Sequence, residues 1–231
     1  MIGIHKHLQG SGETTRFERL LPAGAVVVEA TPLMWTGGLY ATEEESIARA
    51  VRKRRREFTA GRNCARAALM QLGYTSTPLA MGIDRAPVFP PGVSGSITHT
   101  ASYCAAAVVI VGRVASIGID AESRAPLEEE LTPLILSREE RAAFQHLETL
   151  DYDLHKLAFS AKEAFYKAYY QLTHAWLDFR DAQIVFDTAQ GNFQITVLKN
   201  AQPRWLGRPF QGQYCVDDDQ VYCAISLPRD A

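Results

Sequence analysis

Two acidic residues in the middle of the sequence have a spacing that suits a metal site. Asp120 and Glu122 are separated by one residue in "GIDAE", directly after a short apolar run. Alternate residues of a β-strand point to the same face, so these carboxylates converge and repel each other unless a cation lies between them. Ala121, between the two acids, is predicted to point the other way, into the packed interior. Mg²⁺ commonly binds through one or two carboxylates together with phosphate oxygens. The pattern therefore predicts a metal site, and the alternative is a solvated strand end without chemistry.

A second group of charged residues lies in "FSAKEAFYKA", residues 159–168. Glu163 and Lys167 are one helical turn apart and share a face, while Lys162 and Tyr166 form the neighbouring line. Lysines in this arrangement suit an anionic substrate, and the glutamate suits a metal ion. The alternative is a surface Glu–Lys pair that stabilises the helix by roughly 0.2–0.5 kcal/mol.

A basic segment between Arg49 and Arg66 contains eight basic residues and a single acid, Glu57. Most of it is expected to be a solvated helix face. Arg54 and Arg62 fall near the apolar line of the helix, where two guanidinium groups could grip one phosphate. His99, in "SITHT", is a further candidate phosphate contact. A nucleic-acid patch is the alternative for "RKRRR", although the aromatic residues expected for base stacking are missing there.

The elements that must position these side chains alternate between helices and strands. Hydrophobic spacing predicts a helix from about 43 to 72 and another from about 152 to 172, and the first contains Gly61 at a kink or a close approach. Ser137 and Glu140 have the spacing of a capping box at the start of a further helix. The strands are predicted at 24–30, 114–122, 182–187, 192–199, 211–217 and 220–227, with loop over 82–95. Residues 96–112 are predicted to form a turn followed by a buried strand, or by a short helix and a strand. This pattern predicts an α+β fold with two subdomains of similar size that meet near 112–116.

Composition narrows the classes of function. The chain has 231 residues, of which 47% are hydrophobic and 22% charged, and a formal net charge of −2. This charge argues against a general nucleic-acid or membrane-surface binder. No apolar run is long enough for a membrane span or a secretory signal. The four cysteines include no C-x-x-C pair, which argues against zinc, so we expect a cytoplasmic protein with reduced thiols.

Four motifs together resemble a known family. "GRNCARAAL", "SITHT", "GIDAE" and "FSAKEAFYKA", in this order, are similar to the 4′-phosphopantetheinyl transferases, in particular to the monomeric type that serves siderophore, nonribosomal peptide and polyketide synthases. The resemblance covers roughly residues 47–170. Two positions depart from the usual pattern: Phe159 stands where the family often has tryptophan, and Arg85 stands where many relatives have lysine. Both replacements preserve the chemical character of the position.

This resemblance implies a reaction and an architecture. The reaction is transfer of 4′-phosphopantetheine from coenzyme A to a serine of an apo acyl, peptidyl or aryl carrier protein, with release of adenosine 3′,5′-bisphosphate. The implied fold has two α/β subdomains related by a pseudo-twofold axis, which we expect at residues 1–114 and 115–231. The active site would lie in the cleft between them. A cytoplasmic monomer without nucleic-acid or membrane partners is expected.

The resemblance also assigns roles to individual residues. The transferring phosphate group needs positioning and nearby cations more than covalent chemistry. Mg²⁺ or Mn²⁺ would be held by Asp120, Glu122 and Glu163. The serine proton would be accepted by Glu163, or by Glu140 through a metal-bound water. Lys167 would stabilise the leaving phosphate and Lys162 would contact the pyrophosphate. The 3′-phosphate and adenine end would be bound by Arg54, Arg62, Arg85 and His99.

Three alternatives remain at the level of sequence. The outward arginines Arg52, Arg55 and Arg56 could steer an acidic carrier protein, although the family more often docks its carrier on the second subdomain, for example on the helix at 136–147. A nucleic-acid-binding or regulatory module built on the Arg49–Arg66 helix would leave the three acids and Lys167 without a role. An inactive carrier-binding relative is disfavoured by the same residues.

Overall fold

The computed structural model describes residues 14–82, 84–145 and 150–229 of the chain. Six α-helices and eight β-strands are present in these ranges. The helices are α1 (Arg16–Leu20), α2 (Ala41–Ser46), α3 (Arg52–Gln71), α4 (Thr132–Ile135), α5 (Arg138–Gln145) and α6 (Leu154–Thr173). The strands are β1 (Val26–Glu29), β2 (Val93–His99), β3 (Cys104–Ile110), β4 (Val114–Ser123), β5 (Ala182–Asp187), β6 (Asn192–Val197), β7 (Pro209–Val216) and β8 (Gln220–Pro228).

Two antiparallel sheets form the framework. The first has the strand order β1-β3-β2, and the second has the order β4-β8-β7-β6-β5. Helix α3 packs on the first sheet, and helix α6 packs on β4 and β8 of the second. Each of these helices has 20 residues, so the two halves share one plan of a long helix on an antiparallel sheet. The predicted α+β fold with two subdomains is confirmed.

Hydroxyl side chains join the two sheets where β2 runs beside β4. Alternate residues of β2 end in a hydroxyl group, and each hydroxyl oxygen accepts a hydrogen bond from an alternate backbone N–H of β4. The three bonds satisfy backbone donors that would otherwise be buried without a partner. They run from Ile117 to Ser94 (3.0 Å), from Ile119 to Ser96 (3.0 Å) and from Ala121 to Thr98 (2.8 Å).

The two faces of β4 are used differently. Ile117, Ile119 and Ala121 are fully buried in a core that also contains residues of β1, β3 and α1. On the opposite face, a Cβ atom at Gly118 would lie 1.8 Å from the carbonyl oxygen of Ala164. Only glycine therefore allows α6 to approach β4 this closely, and this approach brings α6 beside Asp120. The predicted inward packing of Ala121 is confirmed.

The prediction of a single helix over 43–72 is wrong, because a non-helical segment separates α2 from α3. The residues between them include Val51, which caps α3 in an extended conformation. The break has a tertiary cause: buried Glu43 in α2 is bound to Arg66 of α3 and accepts the Leu79 N–H at 3.0 Å. Gly61 marks a close approach and no kink, since a Cβ atom there would lie 2.8 Å from the Ile97 side chain.

The remaining elements follow the sequence pattern closely. The capping box at the start of α5 is confirmed, with reciprocal bonds of 2.7 and 3.1 Å between Ser137 and Glu140. Strand β2 begins at Val93, inside the segment predicted as loop. Residues 146–147 of the predicted helix lie outside the described residues. No helix in the described part of the chain combines the length and apolar character needed to cross a membrane.

Candidate active site

A cleft of about 600 Å³ opens between β2 of the first sheet and helix α6. One wall is α6, which contributes Tyr166, Lys167, Tyr170 and Gln171. The other walls are residues 95–97 of β2 and residues 84–87 of the loop before it. Helix α6 thus presents Lys167 to the cleft and to the acidic end of β4 at the same time.

Asp120 is the most deeply buried acid at this place, with only 6% of its side chain exposed. Its Oδ1 accepts a hydrogen bond from Lys167 Nζ at 2.6 Å and a longer one from the Thr98 hydroxyl at 3.3 Å. Its Oδ2 is buried and has no hydrogen-bond partner among the described residues. Burial opposes the charge on Lys167, but Asp120 and Glu163 outweigh it and raise the pKa of this ammonium group. Lys167 is therefore a permanent cation at the edge of the cleft.

Glu122 and Glu163 complete the acidic group. Burial and, to a smaller extent, the Asp120 carboxylate raise the pKa of Glu122 to about 7, although Lys156 and Lys167 oppose the rise. Burial also raises the pKa of Glu163, and Asp120 contributes to this shift. The three carboxylates therefore interact electrostatically, and their combined negative potential favours the binding of a cation. Lys156 Nζ lies 3.9 Å from Glu122 Oε2.

The donors present suit a hard divalent cation. Three carboxylates supply only oxygen ligands, and the unpartnered Asp120 Oδ2 is a buried acceptor with spare capacity. Within the described ranges, however, no group of three or more His, Cys, Asp or Glu side chains is already arranged to hold a metal ion. Two of the acids form ion pairs with lysines instead: Asp120 pairs with Lys167, and Glu122 pairs with Lys156.

Glu140 and Lys162 are not brought to this acidic group. They form a buried ion pair with a Nζ–Oε1 distance of 2.9 Å, and each side chain is at most 3% exposed. Glu140 also accepts the backbone N–H groups of Ser137 and Ile184, both at 2.7 Å. Lys162 donates to the carbonyl oxygens of Ile135 and Phe179 at 3.0 Å. These contacts use the hydrogen-bonding capacity of both groups to tie α5, α6 and β5 together.

The residues predicted for the 3′-phosphate and adenine end lie around α3 and the end of β2. Arg62 is 4% exposed and lies over the Phe58 ring at 4.3 Å, and it donates to the Leu79 carbonyl oxygen at 3.2 Å. Its Nη2 is buried without a partner in the described part of the chain, and burial lowers the pKa of the guanidinium to about 10. An anion beside this nitrogen would satisfy both its charge and its spare donor.

Arg54 and His99 form a neighbouring pair at the protein surface. Arg54 Nη1 lies 3.1 Å from His99 Nε2, and both side chains are close to Glu57. Burial lowers the pKa of His99, which favours the neutral imidazole. Arg85 lies apart from this pair, in the exposed loop that borders the cleft, with a φ of 64°. The structure therefore brings Arg54 and His99 together and places Arg85 separately, in the loop that lines the cleft.

The arginines predicted to face outward are partly engaged within the fold. Arg55 is half-buried and donates to the Ile47 carbonyl oxygen at 2.9 Å. The Arg56 guanidinium lies 4.9 Å from the centre of the Trp35 ring. Arg52 is exposed. Of the three arginines predicted to steer a carrier protein, Arg52 is therefore the one best placed to contact a partner.

Three residues that sequence reasoning missed belong to the surroundings of the site. Thr98 supports Asp120, and Lys156 faces Glu122. Gln171 joins the two sheets, because it accepts from Ser94 at 2.7 Å and donates to the Ile117 carbonyl oxygen at 2.9 Å. The alternating hydroxyls of "SGSITHT" and the one-turn spacing of Gln171 from Lys167 were the signals available in the sequence.

Comparison with known proteins identifies the family of the chain. Residues 42–109 match the family model "4'-phosphopantetheinyl transferase N-terminal domain", and residues 116–225 match "4'-phosphopantetheinyl transferase superfamily". The chain is 39% identical over 221 residues to 4'-phosphopantetheinyl transferase Npt of Nocardia iowensis, covering 90% of this chain and 98% of that protein. It is 44% identical over 201 residues to 4'-phosphopantetheinyl transferase PptT of Mycobacterium tuberculosis, covering 82% and 87%. It is 35% identical over 187 residues to enterobactin synthase component D of Escherichia coli K12, covering 80% and 84%.

A fold of two antiparallel sheets, with acids and lysines beside the cleft, defines an enzyme that handles a phosphorylated substrate. The chain belongs to the 4′-phosphopantetheinyl transferase family. It is therefore an enzyme that transfers phosphopantetheine to carrier proteins. The resemblance predicted from the four motifs is confirmed, and nothing in the comparisons supports a nucleic-acid-binding module.

Proposed function

We propose that this enzyme takes 4′-phosphopantetheine from coenzyme A and transfers it to a serine hydroxyl of an apo carrier protein, with release of adenosine 3′,5′-bisphosphate. The observation that carries the proposal is the half-satisfied carboxylate of Asp120. Its Oδ1 is bound by Lys167, and its buried Oδ2 remains available beside two further acids. A buried acceptor without a partner is costly, so a cation at this position would stabilise it.

A divalent metal ion is part of the proposal. Asp120, Glu122 and Glu163 would hold it, and Mg²⁺ is our first choice because all three ligands are oxygens. When bound, it would neutralise charge on the pyrophosphate of coenzyme A. The raised pKa values of Glu122 and Glu163 support this assignment, since a nearby cation would favour the ionised form of both carboxyl groups.

Lys167 and Glu163 are the residues we assign to the chemistry. Lys167 lies at the cleft wall with a raised pKa, so it remains charged and stabilises the leaving phosphate. Glu163 is one turn away on the same face and would accept the serine proton. We assign no chemical role to Glu140 or Lys162, because their buried ion pair uses the donors and acceptors of both groups.

The nucleotide end of coenzyme A is proposed to lie against α3. Arg62 offers an unpartnered buried donor for the 3′-phosphate, and Arg54 with His99 adds a second contact nearby. Arg85, in the loop that lines the cleft, would contact the same substrate. Arginine suits this task because its fixed fork of donors matches a phosphate group.

The proposal also covers the carrier-protein acceptor, the oligomeric state of the enzyme and its cellular compartment. Acyl, peptidyl and aryl carrier proteins are the acceptor classes, and the name of one relative, enterobactin synthase component D, suggests a siderophore pathway. We propose a monomer that acts in the cytoplasm. We also keep the division into subdomains 1–114 and 115–231 as a proposal, which the change of sheet between β3 and β4 supports.

Following the donor and both products of one reaction tests this function. The enzyme is incubated with coenzyme A, Mg²⁺ and an apo carrier protein, and the carrier is weighed by mass spectrometry while the small molecules are separated by chromatography. We expect one phosphopantetheine on the carrier for each adenosine 3′,5′-bisphosphate released, and no transfer when EDTA replaces Mg²⁺. Transfer that continues in EDTA would contradict the proposed role of the metal ion. Transfer without release of adenosine 3′,5′-bisphosphate would contradict coenzyme A as the donor.

A further inference from the structure

Lys156 is a lysine beside the acidic group to which neither the sequence motifs nor the proposed chemistry assigns a role. Its Nζ lies 3.9 Å from Glu122 Oε2. The Lys156 side chain is only 13% exposed and that of Glu122 is 29% exposed, so water screens this pair less than a surface pair. A lysine held this far from solvent next to one acid indicates a local electrostatic function.

The position of Lys156 on α6 explains which acids it can influence. Lys156 precedes Glu163 by two helical turns, and Lys167 follows Glu163 by one turn, so all three lie along one face of the helix. This face packs on β4, which carries Asp120 and Glu122. The two lysines therefore bracket the acidic group, with Lys167 against Asp120 and Lys156 against Glu122.

The net charge of the acids and lysines at this site determines how strongly the site attracts a cation. Three carboxylates facing two ammonium groups carry one formal negative charge. Without Lys156 the same group would carry two, and its attraction for a divalent cation would increase because the Coulomb energy follows the charge of the site.

We propose that Lys156 competes with the divalent metal for Glu122 and thereby lowers the metal affinity of the site. This role rests on the metal site proposed above. Lys156 is a positioning residue in this scheme, since it acts through Glu122 and has no contact with the transferred group. Lys156 lies within ion-pair distance of Glu122 in the metal-free enzyme, and a metal ion that binds Glu122 must displace it.

The direction of the effect separates this role from a structural one. Lys156→Met, or Lys156→Gln as a second neutral variant, is expected to bind the metal roughly three- to tenfold more tightly, because a competing charge is lost. The difference should shrink as salt is added. Lys156→Arg keeps the charge and is expected to match the wild type. A lysine that only supported the fold would weaken metal binding when removed.

The test measures Mn²⁺ binding to the full chain directly, by the loss of the free-ion electron paramagnetic resonance signal, without coenzyme A or carrier. The measurement is made at about pH 8.5, well above the usual pKa range of carboxyl groups. Lys199→Met is the matched control, since Lys199 pairs with Asp181 at 3.7 Å away from the site and its loss should leave Mn²⁺ affinity unchanged.

Each outcome of this experiment decides the matter. Tighter Mn²⁺ binding by both folded neutral variants, with Lys156→Arg near the wild type, supports the proposal. Unchanged or weaker binding by the neutral variants overturns it while leaving the metal site intact. A wild-type protein that binds no Mn²⁺ overturns the proposed metal site and the role of Lys156 together.

Discussion

Gly118 and Ala164 bring β4 and α6 into backbone contact, since a Cβ atom at Gly118 would lie 1.8 Å from the Ala164 carbonyl oxygen. This contact sets the distance between the strand that carries Asp120 and the helix that carries Glu163 and Lys167. The separation of these acids is therefore fixed by the main chain, and side-chain flexibility cannot restore it once the helix moves.

Gly118→Ala is expected to displace α6 and to destabilise the protein by about 3 kcal/mol or more, because a backbone atom cannot move aside as a side chain can. Urea unfolding measures the loss, and transfer activity should fall with it. Gly38→Ala is the control, since a Cβ atom there meets nothing within 4 Å. Equal stability of the two variants would contradict the close packing of α6 on β4.

The buried pair of Lys162 and Glu140 is expected to contribute stability. Lys162→Met leaves the Glu140 carboxylate buried without its cation, which should cost about 3–5 kcal/mol in the free energy of unfolding. Replacing both residues, with Lys162→Met and Glu140→Gln, should recover much of this loss because no uncompensated charge remains. Denaturant unfolding measures both effects. If Lys162→Met is as stable as the wild type but has a greatly reduced kcat, the result would instead support the pyrophosphate contact that the sequence predicts for Lys162.

The stability of the metal-free protein should depend on the ionisation of Glu122. Burial and Asp120 raise the pKa of Glu122 from 4.5 to about 7, so between these values the folded state holds more protons than the unfolded state. Stability in EDTA is therefore expected to fall as the pH rises through this window. Melting temperatures at about pH 5 and pH 8 measure the slope, which should be shallower in Glu122→Gln. An identical slope in the variant would mean that another group is responsible.

Arg62 should discriminate substrates that differ only at the 3′ position. Its unpartnered Nη2 is the donor we assign to the 3′-phosphate. Arg62→Met is expected to raise the KM for coenzyme A roughly tenfold or more, since a charge-assisted hydrogen bond is lost. The KM for dephospho-coenzyme A, which lacks this phosphate, should change much less. Similar increases for both substrates would show that Arg62 acts only on the fold.

Sequence periodicity was sufficient to predict which side chains share a face. The period of two along β4 placed Asp120 and Glu122 together and sent Ala121 into the core, as the structure has it. The spacing of four on α6 likewise placed Glu163 and Lys167 together. Local rules work here because both elements are long and regular, and their bounds differ from the predicted ones by a few residues.

Contacts between distant segments could not be predicted in this way. The break between α2 and α3 depends on the burial of Glu43 against Arg66 and the Leu79 N–H, which local spacing does not reveal. The capping box of Glu140 was visible in "SREE", but its bonds to Lys162 and Ile184 come from elsewhere in the chain. For this reason the sequence assigned Glu140 a possible role in the chemistry, whereas its contacts favour a structural one.

Asp120 and Glu163, at the contact between β4 and α6, are the two acids that we propose make phosphopantetheine transfer possible. The most direct test is intact mass spectrometry of one apo carrier protein, incubated with coenzyme A, Mg²⁺ and wild-type enzyme, Asp120→Asn, Glu163→Gln or the control Lys199→Met. With circular dichroism showing that every variant is folded, we expect complete conversion of the carrier by the wild type and by Lys199→Met, and rates lower by about a hundredfold or more for the two site variants. Near wild-type conversion by folded Asp120→Asn or Glu163→Gln would contradict this assignment of the active site.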